Sequence, residues 1–567
     1  MRIIPLILLL PITIIAQNKI PIFDGVVNSE EWNSSQKHII EYEISPGNNT
    51  PSPVATEAYI TYSPTDLYVG FIAYADMKTL RSSIRNRDEG FRDDFVMIGI
   101  DTYGDGRYMV SLGANAEGNQ LDLKFLPNGN DDVSYNVSFE SKASKHEDAY
   151  HVELKIPFSV IQFKNEPDME WNLLLYRSTY TKDSRSHNIN FPIDLNNPCL
   201  ACQTPVKLSI KNIRPKNRVE LLPYGYGGLS GERMNEKLKY GKLSGTFGLS
   251  GLFDLNNVTS LEYAINPDFS QVEADASRIV ANNTFAIAFP ERRAYFNEGN
   301  DIIRSNLNTV YTRSINQPLL STKLISQGEK SRIYWLLAYD EASPYLIGGE
   351  NNSYFGEGTS AYSSIFKYQK NYKKGSNLSF ISTNRFFEKK GWGHVFGLSE
   401  LWRFGKSLTA ELEVNKSLTK EPITNWISSD DIIKNKTVAL DGERMNGNAL
   451  YFTFERNTKN WNSSLEYSQY SPLYQTPHGF VTQNNIRFIE IEQGYQQFFK
   501  ENDFIRQMNI GLGSEFRFNF QGLKKYSDIN TNAYFQFQNN IQSNLNYTYV
   551  INEEFEGLNA KGLHLIE

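Results

Sequence analysis

The C-terminal half of the chain alternates apolar and polar residues over unusually long runs. Residues 408–415, 508–520 and 544–549 each place apolar side chains on one face of a strand and polar side chains on the other. Runs of about ten residues, apolar outward and polar inward, are typical of transmembrane β-barrels. We count roughly 16 candidate strands between Val219 and Val550. The alternation predicts an antiparallel transmembrane β-barrel; the alternative is a soluble barrel or sandwich with one wet face.

Composition narrows the class further. The mean hydropathy is negative, which argues against a helical membrane protein but not against a barrel, whose strands are only half apolar. The net charge of −7 offers no basic surface for nucleic acid, so no nucleic-acid partner is expected. Polar segments at 351–360, 417–446 and 471–485 are predicted as long loops, and 404–407 and 457–460 as short turns. We expect outer-membrane lipid around the barrel.

The first 16 residues have the pattern of a signal peptide. Arg2 supplies a positive start, residues 3–15 are apolar, and Ala16 precedes Gln17 as a small-residue cleavage position. The apolar run is shorter than the roughly 20 residues that span a bilayer as a helix. We therefore expect an exported protein that begins near Gln17.

Residues 17–216 are predicted to form an antiparallel β-sandwich. Residues 58–62 and 67–74 give one hairpin pattern, and a second hairpin turns at Asp105-Gly106. A linker at 214–217 then leads into the barrel domain, residues 217–567. In an exported chain, Cys199 and Cys202 favour a short-loop disulfide, with a redox pair or half of a metal site as alternatives.

The sandwich resembles the family-9 carbohydrate-binding module. The resemblance lies in an Asp-Gly opening followed by Trp32, then TDLYVGF, DDFVMIGIDTYGDG and ELKIPFSVIQF, and it covers roughly residues 20–210. It implies binding of sugar between aromatic side chains. Trp32, in the opening motif, and Trp171, in a largely apolar run, are both expected in the core. The candidates for stacking on a sugar are Tyr103, Tyr108 and Tyr135, whose alternative role is packing in the sheet.

Four aspartates of this domain are weak candidates for Ca²⁺ ligands. They are Asp93, Asp94, Asp101 and Asp105. Oxygen-rich clusters suit Ca²⁺, but this spacing is not that of an EF-hand loop. We expect instead that they are strand and turn residues on a solvated face, with no cofactor.

Residues 266–301 combine dense charge with regularly placed aromatic residues. The residues predicted to form an ion network in the lumen are Asp268, Glu273, Asp275, Arg278, Glu291, Arg292, Arg293 and Glu298. Unpaired buried charges would be very costly, so these groups are expected to satisfy one another. A plug or gate inside the barrel is the favoured role, wedged by Phe269, Phe289 and Phe296.

This segment resembles the signature of an uncharacterised outer-membrane barrel family of Gram-negative bacteria. The matching stretches are NPDFSQVEAD and FPERRAYFNEG, and members of that family join a family-9-module-like domain to a C-terminal barrel. Ala294 and Asn297 depart from the expected pattern. The chain ends in GLHLIE without a terminal aromatic residue, so either the barrel is truncated here or its last strands are missing. The resemblance implies no established activity.

Three functions remain open on the sequence. The first is a barrel that binds or passes a glycan-type ligand at the cell envelope, with its N-terminal domain in the periplasm. The second is a glycoside hydrolase of polysaccharide catabolism, for which Glu291 and Glu298 are the weak catalytic candidates; arginines beside Glu291 would lower a pKa that an acid catalyst needs raised. The third is a structural or assembly role with another envelope protein as partner.

Overall fold

The structure, a computed structural model, describes most of the chain after the predicted signal peptide. Residues 1–16 therefore lie outside the described part. The described residues are 20–45, 48–126, 131–164, 166–180, 186–195, 197, 199–229, 231–234, 237–267, 285–372, 375–499, 503–538 and 541–566.

The N-terminal unit is built on one eleven-stranded antiparallel sheet. Its strands are β1 (Gln36–Ser45), β2 (Thr50–Tyr62), β3 (Asp66–Tyr74), β4 (Phe95–Asp101), β5 (Met109–Asn115), β6 (Gln120–Phe125), β7 (Glu140–Lys145), β8 (Ala149–Pro157), β9 (Asp168–Tyr180), β10 (Ser186–Asn190) and β11 (Val206–Lys211). Their order is β6-β5-β4-β9-β10-β1-β2-β3-β8-β7, and β11 also pairs with β9. Short 3₁₀ turns lie at Gly90–Arg92, Phe158–Val160 and Leu200–Cys202.

The two ends of this sheet pack face to face around one apolar core. Alternate residues of β3, such as Val69 and Phe71, meet residues of β5 and β8 in that core. Trp171 packs within this core, with its ring centre 5.5 Å from that of Phe163, and Trp32 is only 1% exposed. The prediction that both tryptophans are core residues is therefore confirmed. The sheet is thus folded into the predicted sandwich.

The second unit is one 17-stranded antiparallel sheet in which each strand pairs with the next along its path. The strands of this wall are β12 (Val219–Gly228), β15 (Ser244–Asn256), β16 (Thr259–Ile265), β17 (Pro318–Gln327), β18 (Ser331–Asp340), β21 (Ala361–Asn371), β22 (Asn377–Phe387), β23 (Trp392–Phe404), β24 (Leu408–Lys420), β27 (Arg444–Asn457), β28 (Trp461–Tyr470), β29 (Ile486–Phe498), β30 (Ile505–Phe518), β31 (Lys524–Phe537), β32 (Gln542–Phe555), β33 (Leu558–Ala560) and β34 (Leu563–Ile566). Among the described residues, no ladder joins β12 to β34.

Three small hairpins lie outside this wall. They are formed by β13 (Gly231–Met234) with β14 (Lys237–Tyr240), β19 (Tyr345–Gly348) with β20 (Ser353–Gly356), and β25 (Ile432–Ile433) with β26 (Lys436–Thr437).

The wall has polar residues inside and apolar residues outside. In β24, Glu413 and Asn415 are buried while Val414 between them is 43% exposed. In β18, Arg332 is buried while Trp335 is 45% exposed. This arrangement is the reverse of a soluble sheet and is typical of barrels in lipid. The predicted fold class, a sandwich followed by an antiparallel β-barrel, is confirmed.

In the second unit, the helical pieces of the described residues lie between β16 and β17. Helix α1 covers Ala294–Asn297, helix α2 covers Asn300–Ile303, and a 3₁₀ turn covers Thr312–Ser314. None of the helices in the described residues has the length and apolar character needed to cross a membrane.

Candidate functional site

Residues 285–317, called here the interior segment, run along the inner face of the barrel wall. Basic side chains from three different strands donate to its carbonyl oxygens at 2.7–3.1 Å: Lys323 of β17, Lys367 of β21 and Arg385 of β22. All three side chains are buried. The segment therefore lies across several strands of the wall and closes part of the interior.

Polar residues of β24 hold the same segment farther round the wall. The carboxylate of Glu413 accepts hydrogen bonds from the Ser305 hydroxyl and, at 2.9 Å, from the Asn306 N–H. The Asn415 amide donates to the Thr309 hydroxyl at 2.6 Å. These bonds explain why the inward face of β24 is polar, since its partners are polar backbone and hydroxyl groups of the segment.

Apolar packing fixes the helical part of the interior segment. Phe296 and Ile302 pack against Tyr334 of β18 in a small buried cluster. Gly299 has a φ of +78°, and a Cβ there would lie 2.8 Å from the Cδ1 atom of Ile325. Only glycine meets both conditions without strain, so the turn between α1 and α2 is set by sequence.

One carboxylate in the interior segment joins the three parts of the molecule. Asp301 pairs with Lys124 of the N-terminal unit at 3.1 Å and with Arg332 of the wall. The three side chains are no more than 5% exposed. Buried charges are tolerated when they are paired, and removing one partner is strongly destabilising. We call this group the Asp301 triad.

Two of the predicted sugar-stacking tyrosines belong to the surroundings of this triad. The Nζ atom of Lys124 lies 5.1 Å from the ring centre of Tyr108 and 4.4 Å from that of Tyr135. Both rings are buried, as is Tyr103, whose hydroxyl donates to the Gln327 carbonyl at 2.6 Å. Sheet packing and docking contacts thus occupy all three tyrosines, which is the alternative role that the sequence predicts for them.

The N-terminal unit docks on the short turns at one end of the barrel. Arg107 donates to the carbonyl oxygens of Gly328 at 2.7 Å and of Glu329 at 2.5 Å, in the turn between β17 and β18. Asn257, in the turn between β15 and β16, donates to the Phe163 carbonyl at 2.8 Å. The longer connections 341–360, 421–443 and 471–485 lie at the opposite end.

The carboxylate of Glu291, one of the two weak catalytic candidates, is hydrogen-bonded to other residues of the interior segment. Its carboxylate accepts hydrogen bonds from the Arg293 guanidinium at 2.6–2.8 Å and from the Thr312 hydroxyl at 2.7 Å. Arg292 is exposed and gives its backbone N–H to the same carboxylate at 3.1 Å. Glu298 contributes its backbone carbonyl to Lys323. The Glu291 carboxylate is therefore not placed as a free acid, which disfavours a catalytic role for it.

Four residues of the predicted ion network fall on the part of the segment that the structure does not describe. These are Asp268, Glu273, Asp275 and Arg278, together with Phe269. The interior segment therefore shows only the second half of the predicted plug.

The aspartates considered as calcium ligands are structural residues of the sandwich. Asp93 accepts a hydrogen bond from Arg85, and the oxygens of Asp94 accept hydrogen bonds from Arg81 N–H and Thr179. Asp101 accepts three backbone N–H groups of its own turn, and burial raises its pKa to about 6. Asp93, Asp94 and Asp101 are no more than 2% exposed, so the expected solvated face is wrong.

The N-terminal unit also contains Asp105 and the cysteine pair that the sequence analysis singles out. Asp105 pairs with Arg107 and so supports the docking contact. Cys199 and Cys202 form a disulfide beside the turn at Gly106.

A cleft at the long-loop end was not foreseen from the sequence. It is lined by Tyr345, Phe387, Trp392, Arg385, Gln475 and Phe480, among others. Its walls are largely aromatic, but its cavity volume of about 50 Å³ leaves room for only a small group, since most ligand pockets measure roughly 300–1,000 Å³. Its residues come from several connections and strand ends far apart in the chain, so no local pattern in the sequence could have revealed it.

Comparison with known proteins gives one family match and several distant structural likenesses. Residues 215–333 match the family model of a domain of unknown function, DUF5916. No curated protein matches the chain.

Three solved structures illustrate the structural likenesses. A candidate carbohydrate-binding protein from Bacteroides uniformis is 13% identical, with 33% of this chain and 92% of that one covered at a TM-score of 0.27. OccAB2 from Acinetobacter baumannii is 9% identical, with 83% and 95% covered at 0.28. The FrpB iron transporter from Neisseria meningitidis is 10% identical, with 95% and 82% covered at 0.32. At these TM-scores the likenesses transfer no function.

Proposed function

We propose that this protein is a gated outer-membrane β-barrel that binds or passes a glycan-type ligand. In this proposal the interior segment is the gate and the N-terminal unit holds it shut. The observation that carries the proposal is the Asp301 triad, because one buried carboxylate is shared between Lys124 of the N-terminal unit and Arg332 of the wall. Movement of the N-terminal unit would leave Asp301 with one cation fewer and weaken the hold on the segment.

The outer-membrane location is supported by the two faces of the wall. Exposed apolar side chains such as Leu398 and Leu512, at 57% and 58% exposure, would face lipid. Short turns of outer-membrane barrels face the periplasm. Since the N-terminal unit docks on the short turns, we place it in the periplasm. Protease treatment of intact cells should leave residues 20–210 uncut; their removal would contradict this placement.

A glycan-type ligand is supported by the aromatic cleft at the long-loop end. Trp392 presents a half-buried aromatic face there, whereas Arg385 and Gln475 beside it are buried and already hydrogen-bonded within the barrel. Sugars present both apolar faces and hydroxyl groups, and aromatic side chains match the former. The cleft would then face the cell exterior, where a ligand would first meet the barrel.

The test compares the full-length protein with its Asp301→Asn variant in planar bilayers and in liposomes loaded with short xylo-oligosaccharides. We expect low conductance for the wild type and higher conductance and faster sugar release for the variant. Asp168→Asn, an exposed aspartate of the N-terminal unit, is the matched control and should resemble the wild type. Equal conductance for the wild type and a correctly folded Asp301→Asn variant would overturn the gate. Release of amino acids as readily as sugars would overturn the glycan assignment alone.

A further inference from the structure

Three carboxylates come together at the base of the connection between β24 and β27. They belong to Glu421, Asp441 and Glu443, and one ligand oxygen from each lies within 4.8 Å of the other two. Oxygens bound to one Ca²⁺ at about 2.4 Å lie at most ~4.8 Å apart, so the spacing fits a shared ion. An acidic cluster alone is common on protein surfaces, and the deciding feature is the state of Glu421.

Glu421 is a fully buried carboxylate without a protein partner. Its exposure is 0%, and neither of its oxygens accepts a hydrogen bond. The nearby backbone N–H of Asp441 donates to the Ala439 carbonyl at 3.0 Å, and that of Glu443 to the Asp441 carboxylate at 3.3 Å, so each offers Glu421 no more than a weak, shared contact. A buried ionised carboxylate needs a counter-charge, because its desolvation otherwise costs several kcal/mol or more.

The other two carboxylates have donors of their own but still leave the cluster negative. Lys436 lies 3.1 Å from Glu443, and Thr437 donates its N–H to Glu443 at 2.8 Å and its hydroxyl to Asp441 at 3.1 Å. Three carboxylates thus face one lysine. Glu421 has no share in that lysine, so a cation bound between the three side chains would supply the counter-charge that it lacks.

We propose that Glu421, Asp441 and Glu443 bind a hard divalent cation of the Ca²⁺ class. Carboxylate oxygens are the ligands that this class prefers, and the cluster offers no nitrogen or sulfur ligand from its three residues. Asp441 is exposed, which gives the ion a route from solvent and room for water ligands. The site is independent of the gate and of the glycan assignment.

Such an ion would fasten the two ends of the connecting loop together. The loop starts at Glu421 and ends at Glu443, where the Glu421 N–H donates to the Glu443 carbonyl at 3.0 Å. Between these ends, Ile427 and Leu440 pack on Tyr345 and Phe387 beside the aromatic cleft. The cation would therefore set the position of the loop that covers one wall of that cleft.

The experiment is a titration of the EDTA-treated full-length protein in detergent with CaCl₂, followed by calorimetry and by thermal unfolding. We expect saturable binding that raises the unfolding temperature, and a loss of affinity of roughly 10- to 100-fold or more in Glu421→Gln. Glu357→Gln, an exposed glutamate in another loop, is the matched control and should bind Ca²⁺ like the wild type.

A second variant keeps the test decisive if Glu421→Gln folds poorly. Asp441→Asn changes an exposed side chain and should also weaken Ca²⁺ binding while leaving the barrel folded. Absence of Ca²⁺ binding at millimolar concentration would overturn the proposal, and so would binding that both variants leave unchanged. In either case the buried carboxyl of Glu421 would be neutral because it is protonated.

Discussion

Lys124 and Asp301, 177 positions apart in the chain, form an ion pair of 3.1 Å in which neither side chain is more than 2% exposed. Lys124 belongs to the sandwich and Asp301 to the interior of the barrel. A contact of this kind couples two units that the chain connects only through residues 212–218. It makes the docking of the sandwich part of what holds the interior segment in place.

The first prediction concerns the strength of that coupling. In a cycle of Lys124→Met, Asp301→Asn and the double variant, each single change should destabilise the docked state by about 3–5 kcal/mol. The double variant should lose less stability than the two single variants lose together, with a coupling energy of about 1–3 kcal/mol. Urea unfolding of the full-length protein checks this, and strictly additive effects would show that the two residues do not act together.

The second prediction concerns the gate itself. Arg293 is buried, pairs with Glu291 and donates to the Ile315 carbonyl at 2.7 Å. Arg293→Ala should loosen the interior segment and raise single-channel conductance, because Glu291 is then left buried and unpaired. Arg444→Ala, an exposed arginine at the start of β27, is the control. A folded Arg293→Ala barrel with wild-type conductance would count against a gating role for the segment.

The third prediction concerns the docking of the sandwich. Arg107→Ala removes the hydrogen bonds to Gly328 and Glu329 and should weaken docking by about 2–4 kcal/mol, since bonds to charged groups are stronger than neutral ones. Hydrogen exchange should rise in the turn between β17 and β18. Arg92→Ala, exposed on the same unit, should not change that exchange. Unaltered protection of the turn in Arg107→Ala would exclude this docking contact as a determinant.

The fourth prediction addresses the cleft. Trp392→Ala should weaken binding of xylo-oligosaccharides by about 0.5–1.5 kcal/mol, a few-fold to tenfold in affinity, through loss of an aromatic face. Trp461→Ala, which removes an exposed tryptophan at the opposite end of the wall, serves as the control. If both variants bind sugar as the wild type does, the ligand is bound elsewhere.

The fifth prediction is a pH dependence in the sandwich. Glu153 is buried and accepts the N–H groups of Asp24 and Gly25 at 2.9 and 2.7 Å, and burial raises its pKa to about 7. In the unfolded chain a glutamate titrates near pH ~4.3, so the folded state binds the proton more tightly. The free energy of unfolding should therefore decrease as the pH rises from about 4 to about 7, by on the order of 1–3 kcal/mol, and should stay level above pH ~7.

Replacement of Glu153 by Gln isolates this contribution. The variant keeps an oxygen for the two N–H groups but does not titrate, so its unfolding should depend less on pH and its stability should exceed that of the wild type at pH 8. Urea midpoints at pH 5 and pH 8 measure the difference. Glu147→Gln, exposed in the same unit, should retain the wild-type slope; a Glu153→Gln slope equal to it would contradict the assignment.

The barrel could be predicted because its signal is local. Alternation with a period of two depends only on neighbouring residues. In β24 it corresponds to buried Glu413 and Asn415 on either side of exposed Val414. The same signal misled at the strand ends. Residues 417–446 were predicted as loop because they are polar, yet β24 continues to Lys420 and its Ser417 and Thr419 face the interior. In a barrel, polar character marks the lumen as well as the loops.

The site could be predicted only in part, because its partners are distant in sequence. The charges at Glu291 and Arg293 indicated an ion network, but nothing near Asp301 points to Lys124. A signal does exist in β6, where Asp122 and Lys124 alternate with Leu121 and Leu123 although all four are buried. A strand with charges on a buried face indicates contact with another unit. Identifying that unit required the folded structure.

The position of the interior segment in the chain has a consequence for how the barrel is assembled. The segment precedes β17, whereas the residues that hold it, such as Lys367 and Arg385 and Glu413, come from strands synthesised after it. The segment can therefore gain its full set of contacts only once strands far along the chain are in place, so its enclosure depends on completion of that part of the wall.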